Sequence, residues 1–183
     1  MNDVVEIAEQ TDEALIAEAA REGSDGPAFV ALIARHQQRV WRICYRLLGN
    51  EHDAADAAQE VFVRLYLKRN AFAGRSRFTT WLHGMALRVC LGLRRSRARR
   101  QRRETMAAVQ RPTQSASPDP ATLDLLEMLD ILDDEDRALL ILKYAEQYTI
   151  DELSEMFDLS ASACKMRLSR ARGKLRAQFG RDF

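Results

Sequence analysis

The stretch QRPTQSASPDP, residues 110–120, constrains the fold of this chain more than any other. It holds three of the four prolines among 183 residues, and no apolar period runs through it. Proline lacks a backbone N–H and its ring clashes with the preceding helical turn, so no single helix crosses this stretch. On both sides of it apolar residues recur at helical spacing. The abundance of Ala, Leu, Arg and Glu, with only 8 glycines, favours helices over strands. The expected fold class is therefore all-α. Two small helical domains are predicted: a four-helix N-terminal domain over 1–104 and a helix-turn-helix C-terminal domain over 121–183, joined by a flexible linker over 105–120. A linker of ~16 residues reaches ~50 Å when extended. That is enough for the two domains to act at well-separated sites.

In the first domain, Thr11 or Asp12 is placed to cap a short helix ending near Glu22. A second helix is expected from Pro27, which suits a first turn, to Leu48, where Gly49 suits a stop. Phe29, Leu32, Ile33, Val40, Ile43, Cys44 and Leu47 form its apolar stripe. A third runs from about Asp53 to Lys68 with Ala54, Ala58, Val61, Phe62 and Leu65 inward. The fourth starts near Thr79 or Thr80, and Trp81, Met85, Val89 and Leu93 recur every four residues before the stripe stops.

In the second domain, helices are expected over 121–132 and 134–146. Thr149, followed three residues later by Glu152, makes a capping box that opens a short helix with Ile150, Leu153 and Phe157 inward. Asp158 and Leu159 form a turn, and Ser160 caps a longer helix. Ala161, Cys164, Leu168, Ala171 and Leu175 are its buried stripe, and Ser162, Lys165, Met166, Ser169 and Arg170 fall on the other side. A short helix, a tight turn and a longer basic helix make a helix-turn-helix, whose second helix enters a major groove.

The net charge of +1 conceals a sorting of charges. Residues 1–25 carry eight acids and one arginine, and residues 119–136 carry eight acids and no Lys or Arg. Residues 88–103 carry eight arginines and no acid, and residues 165–181 carry seven basic groups and no acid. Residues 88–103 hold no acid, and only Glu104, four residues beyond Arg100, stands at i±4 to any of these arginines, so the helix reads as leaving the core to become a cationic arm. Two basic segments point to two anionic contacts, and nucleic acid is the expected partner. Six to ten phosphate contacts would make affinity fall ~10³–10⁵-fold between 50 and 200 mM salt. The acidic segments are placed to fold back on the basic ones in the free protein.

No apolar run approaches the ~20 residues of a membrane span, and the acidic N-terminus lacks the basic start of a signal peptide. The expectation is a cytoplasmic protein without membrane insertion. Cys44, Cys90 and Cys164 form no CxxC pair and are expected to be reduced, buried thiols. His36, His52 and His83 form no ligand-spaced cluster, so neither a metal nor a cofactor is expected.

Three stretches together resemble the bacterial extracytoplasmic-function (ECF) sigma factors of the sigma-70 family. DAADAAQEVFVRLY is similar to the family's helix for binding core polymerase, FAGRSRFTTWLHGMALRV to its promoter-melting segment, and KMRLSRARGKLR to its −35 recognition helix. The resemblance covers about 27–103 and 121–178. It implies a factor that directs RNA polymerase to promoters, with core RNA polymerase and promoter DNA as partners and an anti-sigma factor as its inhibitor. By position it implies that Asp56, Gln59, Glu60 and Phe62 face the polymerase. Phe72, Arg75, Arg77, Trp81, Arg88, Arg94 and Arg95 would serve the −10 element, with a flipped base held in the loop from Phe72 to Arg77. Lys143, Ser162, Lys165, Met166, Arg167, Ser169 and Arg170 would serve the −35 element. Two positions depart from the common pattern. Arg88 stands where relatives often carry Asn, and Met166, which cannot hydrogen-bond a base edge, stands where Ser is frequent.

Two rival readings compete. A DNA-binding regulator acting without polymerase explains the helix-turn-helix and the arginines but not the AADAAQEVFVRLY helix. A metal-dependent nuclease using Asp53, Asp56 and Glu60 lacks a third ligand and a nucleophile–base set, so no enzymatic activity is expected.

Overall fold

A computed structural model describes residues 9–22, 26–106 and 128–180. All regular structure among them is helical. Thr11, not Asp12, accepts the capping N–H of Ala14 and opens α1, Asp12–Ala19. Helix α2 spans Pro27–Leu48, with Pro27 in its first turn and Gly49 closing it at φ 81°. That left-handed angle favours glycine, which has no Cβ to clash. Helix α3 starts earlier than the periodicity suggests, at Glu51, because the Asn50 side chain accepts from the Asp53 N–H. It runs to Lys68, and a 3₁₀ turn follows over Arg69–Ala71. Helix α4 spans Phe78–Met106.

These four helices form the first domain. Leu15 and Ile16 of α1, Leu32, Val40 and Ile43 of α2, Val61 and Leu65 of α3, and Phe78 and Leu82 of α4 are shut away from solvent. Each such side chain contributes about 1.5–3 kcal/mol relative to exposure. The stripe along α4 behaves as its four-residue recurrence predicts: Met85 and Val89 are buried, Trp81 and Leu93 half-buried, and residues 95–101 exposed.

The second domain is built from α5, Asp134–Leu140, α6, Ile150–Phe157, and α7, Ala161–Phe179. Asp133 caps α5 by accepting from the Asp136 N–H. The helix then widens into a π turn over Ile141–Ala145, where the Glu146 N–H reaches back to the Ile141 carbonyl. The expected helix over 134–146 is thus regular only to Leu140. The Thr149–Glu152 capping box forms in both directions. Asp158 turns the chain at φ 55° and Ser160 caps α7. On α6 the buried residues are Leu153 and Met156, while Ile150 and Phe157 are only half-buried. On α7 Cys164, Leu168, Ala171 and Leu175 are buried, and Ala161 is exposed.

The linker residues 107–120 and the first part of the helix expected over 121–132 lie outside the described residues. The two domains meet where α4 packs on α6 and, by its C-terminal half, on α5. Their buried apolar side chains form one contiguous cluster. Cys44, Cys90 and Cys164 are free and buried. A hydrogen bond with the Cys44 thiol, reinforced by burial, pushes the Cys90 thiol far above its ordinary range.

Candidate nucleic-acid interface

Helix α7 presents a sharply two-sided surface. Ser162, Lys165, Met166, Ser169 and Arg170 are exposed, Met166 by 58%. A free-standing apolar side chain flanked by Lys165 and Arg170 can meet a thymine methyl between phosphate contacts. The Ser162 hydroxyl lies 3.1 Å from that of Ser160 at the helix cap. Arg167 points the other way. Its Nε donates to Asp136 Oδ1 at 2.8 Å and its Nη1 to Glu135 Oε2 at 2.9 Å, with Asp133 3.6 Å away. Arg167 thus straps α7 to the first turn of α5, and these carboxylates hold its guanidinium pKa above the ordinary value despite burial. Lys143 sits in the π turn and donates to the Tyr148 carbonyl at 3.0 Å.

The first domain carries a second cationic surface. Arg75 and Arg77 are exposed in the loop before α4, where Gly74 adopts φ 65°. Phe72 closes that loop half-buried, its ring 5.2 Å from Trp81 and 5.8 Å from Phe78. One aromatic cluster therefore roots both the loop and the start of α4. Arg88 is exposed on α4. Its guanidinium is nonetheless partly withdrawn from water beside Gly84, and that desolvation, with the charge of Arg64 adding to it, lowers its pKa.

Further along α4 three arginines are paired, two of them by the acidic 119–136 segment expected to fold back on them. Arg94 Nε donates to Asp134 Oδ1 at 2.5 Å, Arg95 Nη2 to Glu135 Oε1 at 2.8 Å, and Arg97 pairs with Asp53. The acids come from α3 and α5, far away in sequence, so no i±4 inspection finds them. The bond from Arg97, aided by Asn50, holds the Asp53 carboxyl below its ordinary range.

The exposed side of α3 supplies a third surface. Asp56, Gln59 and Glu60 share it, Asp56 lying 3.6 Å from His52 and Glu60 pairing with Arg64 at 2.5 Å. Phe62 is half-buried against the core. Val63 and Leu67, absent from the sequence-based set, are 53% and 70% exposed. At 100° per residue they fall on the stripe of Asp56 and Glu60. The signal was present as apolar residues at i+7 and i+11 from Asp56, on a face otherwise polar.

Residues 32–100 match the family model for Sigma-70 region 2, and residues 122–175 match that for Sigma-70, region 4. The chain belongs to the ECF group of sigma-70 family RNA polymerase sigma factors. Region 2 thus covers the Arg75/Arg77 loop, the cationic part of α4 and the α3 stripe, and region 4 covers the helix-turn-helix. The ECF RNA polymerase sigma factor SigW of Bacillus subtilis is 27% identical over 84% of this chain and 90% of its own length. SigE of Mycolicibacterium smegmatis is 28% identical over 96% of this chain and 70% of its own. Among solved structures, CnrH in complex with the cytosolic domain of CnrY superposes with a TM-score of 0.68 at 25% identity, covering 95% of this sigma factor and 100% of CnrH. The sigma factor RpoE from Bartonella quintana, bound to the anti-sigma factor NepR, shares the fold at 20% identity with a TM-score of 0.62, over 82% and 96% of the two chains.

Between the domains lies a polar seam that sequence reading missed. The Glu146 carboxylate, 1% exposed, is held by Arg39 at 2.8 Å and Arg46 at 2.7 Å, with Arg42 3.9 Å away. Arg39, Arg42 and Arg46 stand at i, i+3 and i+7 along α2, a stripe with no acid on its own helix. Nearby, Tyr148 Oη and His83 Nδ1 share a buried hydrogen bond of 2.6 Å. Burial, with Arg39 and His36 adding to it, depresses His83 to about 3, so the ring is neutral. Among the described residues no cluster of three or more metal-ligating side chains occurs, and no helix is long and apolar enough to cross a membrane.

Proposed function

We propose that this sigma factor directs core RNA polymerase to promoters through two DNA contacts and assists melting at the start site. In this reading the domains are those expected, 1–104 and 121–183, with 105–120 as tether. The stripe of Asp56, Gln59, Glu60, Val63 and Leu67, with Phe62 beneath it, docks on the polymerase. Phe72, Arg75, Arg77, Trp81, Arg88, Arg94 and Arg95 serve the −10 element. An unstacked base lodges against the Phe72 edge of the loop, where aromatic packing offsets a few kcal/mol of flipping cost. Lys143, Ser162, Lys165, Met166, Ser169 and Arg170 face the −35 element, and Arg167 sets the angle of α7 instead of meeting a base.

The observation that carries this reading is the pairing of two cationic faces, on α4 and α7, with the region 2 and region 4 matches in that chain order. The protein acts without enzymatic chemistry of its own, in the cytoplasm, and is held inactive by an anti-sigma factor. The solution of CnrH with a cytosolic domain of a second protein supports that expectation. In vitro transcription with core polymerase over a genomic template library tests the proposal. New start sites sharing spaced −35 and −10 sequences are expected. DNA binding without new starts would favour a regulator that works without polymerase.

A further inference from the structure

All of the 8 glycines except Gly23 lie among the described residues, and most of them have a reason within the molecule. Gly49, Gly74 and Gly180 adopt left-handed φ of 81°, 65° and 62°. A Cβ at Gly26 would strike the Glu22 side chain, and one at Gly84 would lie 3.7 Å from the Met156 Cα of α6 and 3.4 Å from the Arg88 guanidinium. Gly92 and Gly173 have neither reason. Both are exposed and lie in the interior of a helix, at an ordinary backbone angle, and a Cβ at either would have no neighbour within 4 Å. Each weakens its helix relative to alanine, because glycine loses more backbone freedom on folding. Among the described residues nothing offsets that loss. Their positions are also not scattered. At 100° per residue, Gly92 shares a stripe of α4 with Arg88, Arg95 and Arg99, and Gly173 shares a stripe of α7 with Met166, Ser169 and Arg170. All six of those side chains are exposed. Each cationic helix thus carries one bare stretch of backbone, beside side chains that the proposed function gives to DNA.

We propose that Gly92 and Gly173 are positioning residues, at which the sugar–phosphate strand of the promoter lies directly against the helix backbone. The proposal rests on the reading of α4 and α7 as DNA-binding helices. A helix without a Cβ admits a ligand's closest approach at that point. The glycine offers two Cα–H groups to phosphate oxygens, and the arginines and the serine beside it close on the same strand. A methyl group at either site would hold the strand off and lengthen all of these contacts together.

The test uses the full chain with Ala or Leu at each glycine: Gly92→Ala, Gly92→Leu, Gly173→Ala and Gly173→Leu. Each variant is bound to core polymerase and titrated with a promoter recovered from the template library. The alanine variants should raise the urea midpoint, because alanine is the better helix former. Their affinity for the promoter should nevertheless fall about tenfold, the equivalent of one lost charge-assisted hydrogen bond. Leucine, larger but similar in helix propensity, should cost more. The salt slope should stay that of the parent, since no charge is removed. A role in helix flexibility would give equal losses for Ala and Leu. The two positions are read separately. At either one, parental affinity in the alanine variant, equal losses from Ala and Leu, or a matching loss of core polymerase binding overturns the proposal while leaving the sigma function intact. A parent that gives no starts with core polymerase overturns the function itself.

Discussion

Replacing Arg167 by methionine separates a strap from a DNA contact. The guanidinium makes two charge-assisted hydrogen bonds, to Asp136 at 2.8 Å and Glu135 at 2.9 Å, and its side chain is 21% exposed. Hydrogen bonds to charged groups each contribute ~1.5–3 kcal/mol when shielded. Partial exposure reduces this, and Lys174, 3.5 Å from Asp136, retains some of the compensation. A loss of about 2 kcal/mol follows for Arg167→Met, which preserves the length of the stem but leaves Asp133, Glu135 and Asp136 repelling one another. Arg170→Met, on the exposed face of α7, should change stability by less than ~0.5 kcal/mol. Urea unfolding of both full-length variants measures this as a shift in midpoint at constant slope. The salt dependence of promoter binding by the polymerase-bound factor supplies the second axis. Arg170→Met should reduce the log–log slope by about 1, and Arg167→Met should leave it unchanged. If Arg167→Met is as stable as the parent and loses a unit of salt slope, the strap does not exist and Arg167 contacts phosphate.

Three further outcomes follow from the geometry. His83 is buried neutral with its pKa depressed to about 3, so the unfolded chain binds a proton that the folded chain refuses. Its contribution is complete above ~6.5 and is lost as pH falls from there toward the folded value, at up to ~1.4 kcal/mol per unit. His83→Gln should flatten that limb in unfolding titrations between pH 7 and 5. Thr149→Ala breaks both halves of the capping box of α6 and should cost about 1 kcal/mol, read as a lowered urea midpoint. Leu67→Asp, at a 70% exposed position, should leave the unfolding midpoint unchanged while weakening association with core polymerase by tenfold or more in a pull-down titration.

Range along the chain separates the interactions that are legible in the sequence from those that are not. Local signals were legible. Pro27 and Gly49 bound α2, the Thr149–Glu152 box opens α6, and Ser160 opens α7, because each is a contact within four residues that the backbone dictates wherever the segment is placed. The four-residue stripe of α4 placed Met85 and Val89 in the core for the same reason. The two-sidedness of α7 separates Lys165, Met166 and Arg170 from Cys164 and Leu168 in the sequence alone. The partners in charge pairing were not legible. Family position puts Arg167 on the recognition face, yet it turns to α5; and although the acidic 119–136 segment does fold back on Arg94 and Arg95, nothing local marks Asp134 and Glu135 as the partners or Asp53 as that of Arg97.

By itself the amino-acid order settled that this chain is helical, that it breaks in two near its prolines, and that each half carries a basic face. Those properties follow from periodicity, capping and the missing proline N–H, all of which act over a turn or two. The docking of α4 on α6 across Gly84, the burial of Glu146 among three arginines of α2, and the occupation of the α4 arginines by α5 acids were decided only in three dimensions. Coulomb attraction and close packing depend on distance through space, and residues 40 to 107 positions apart carry no mark of the partner they will meet.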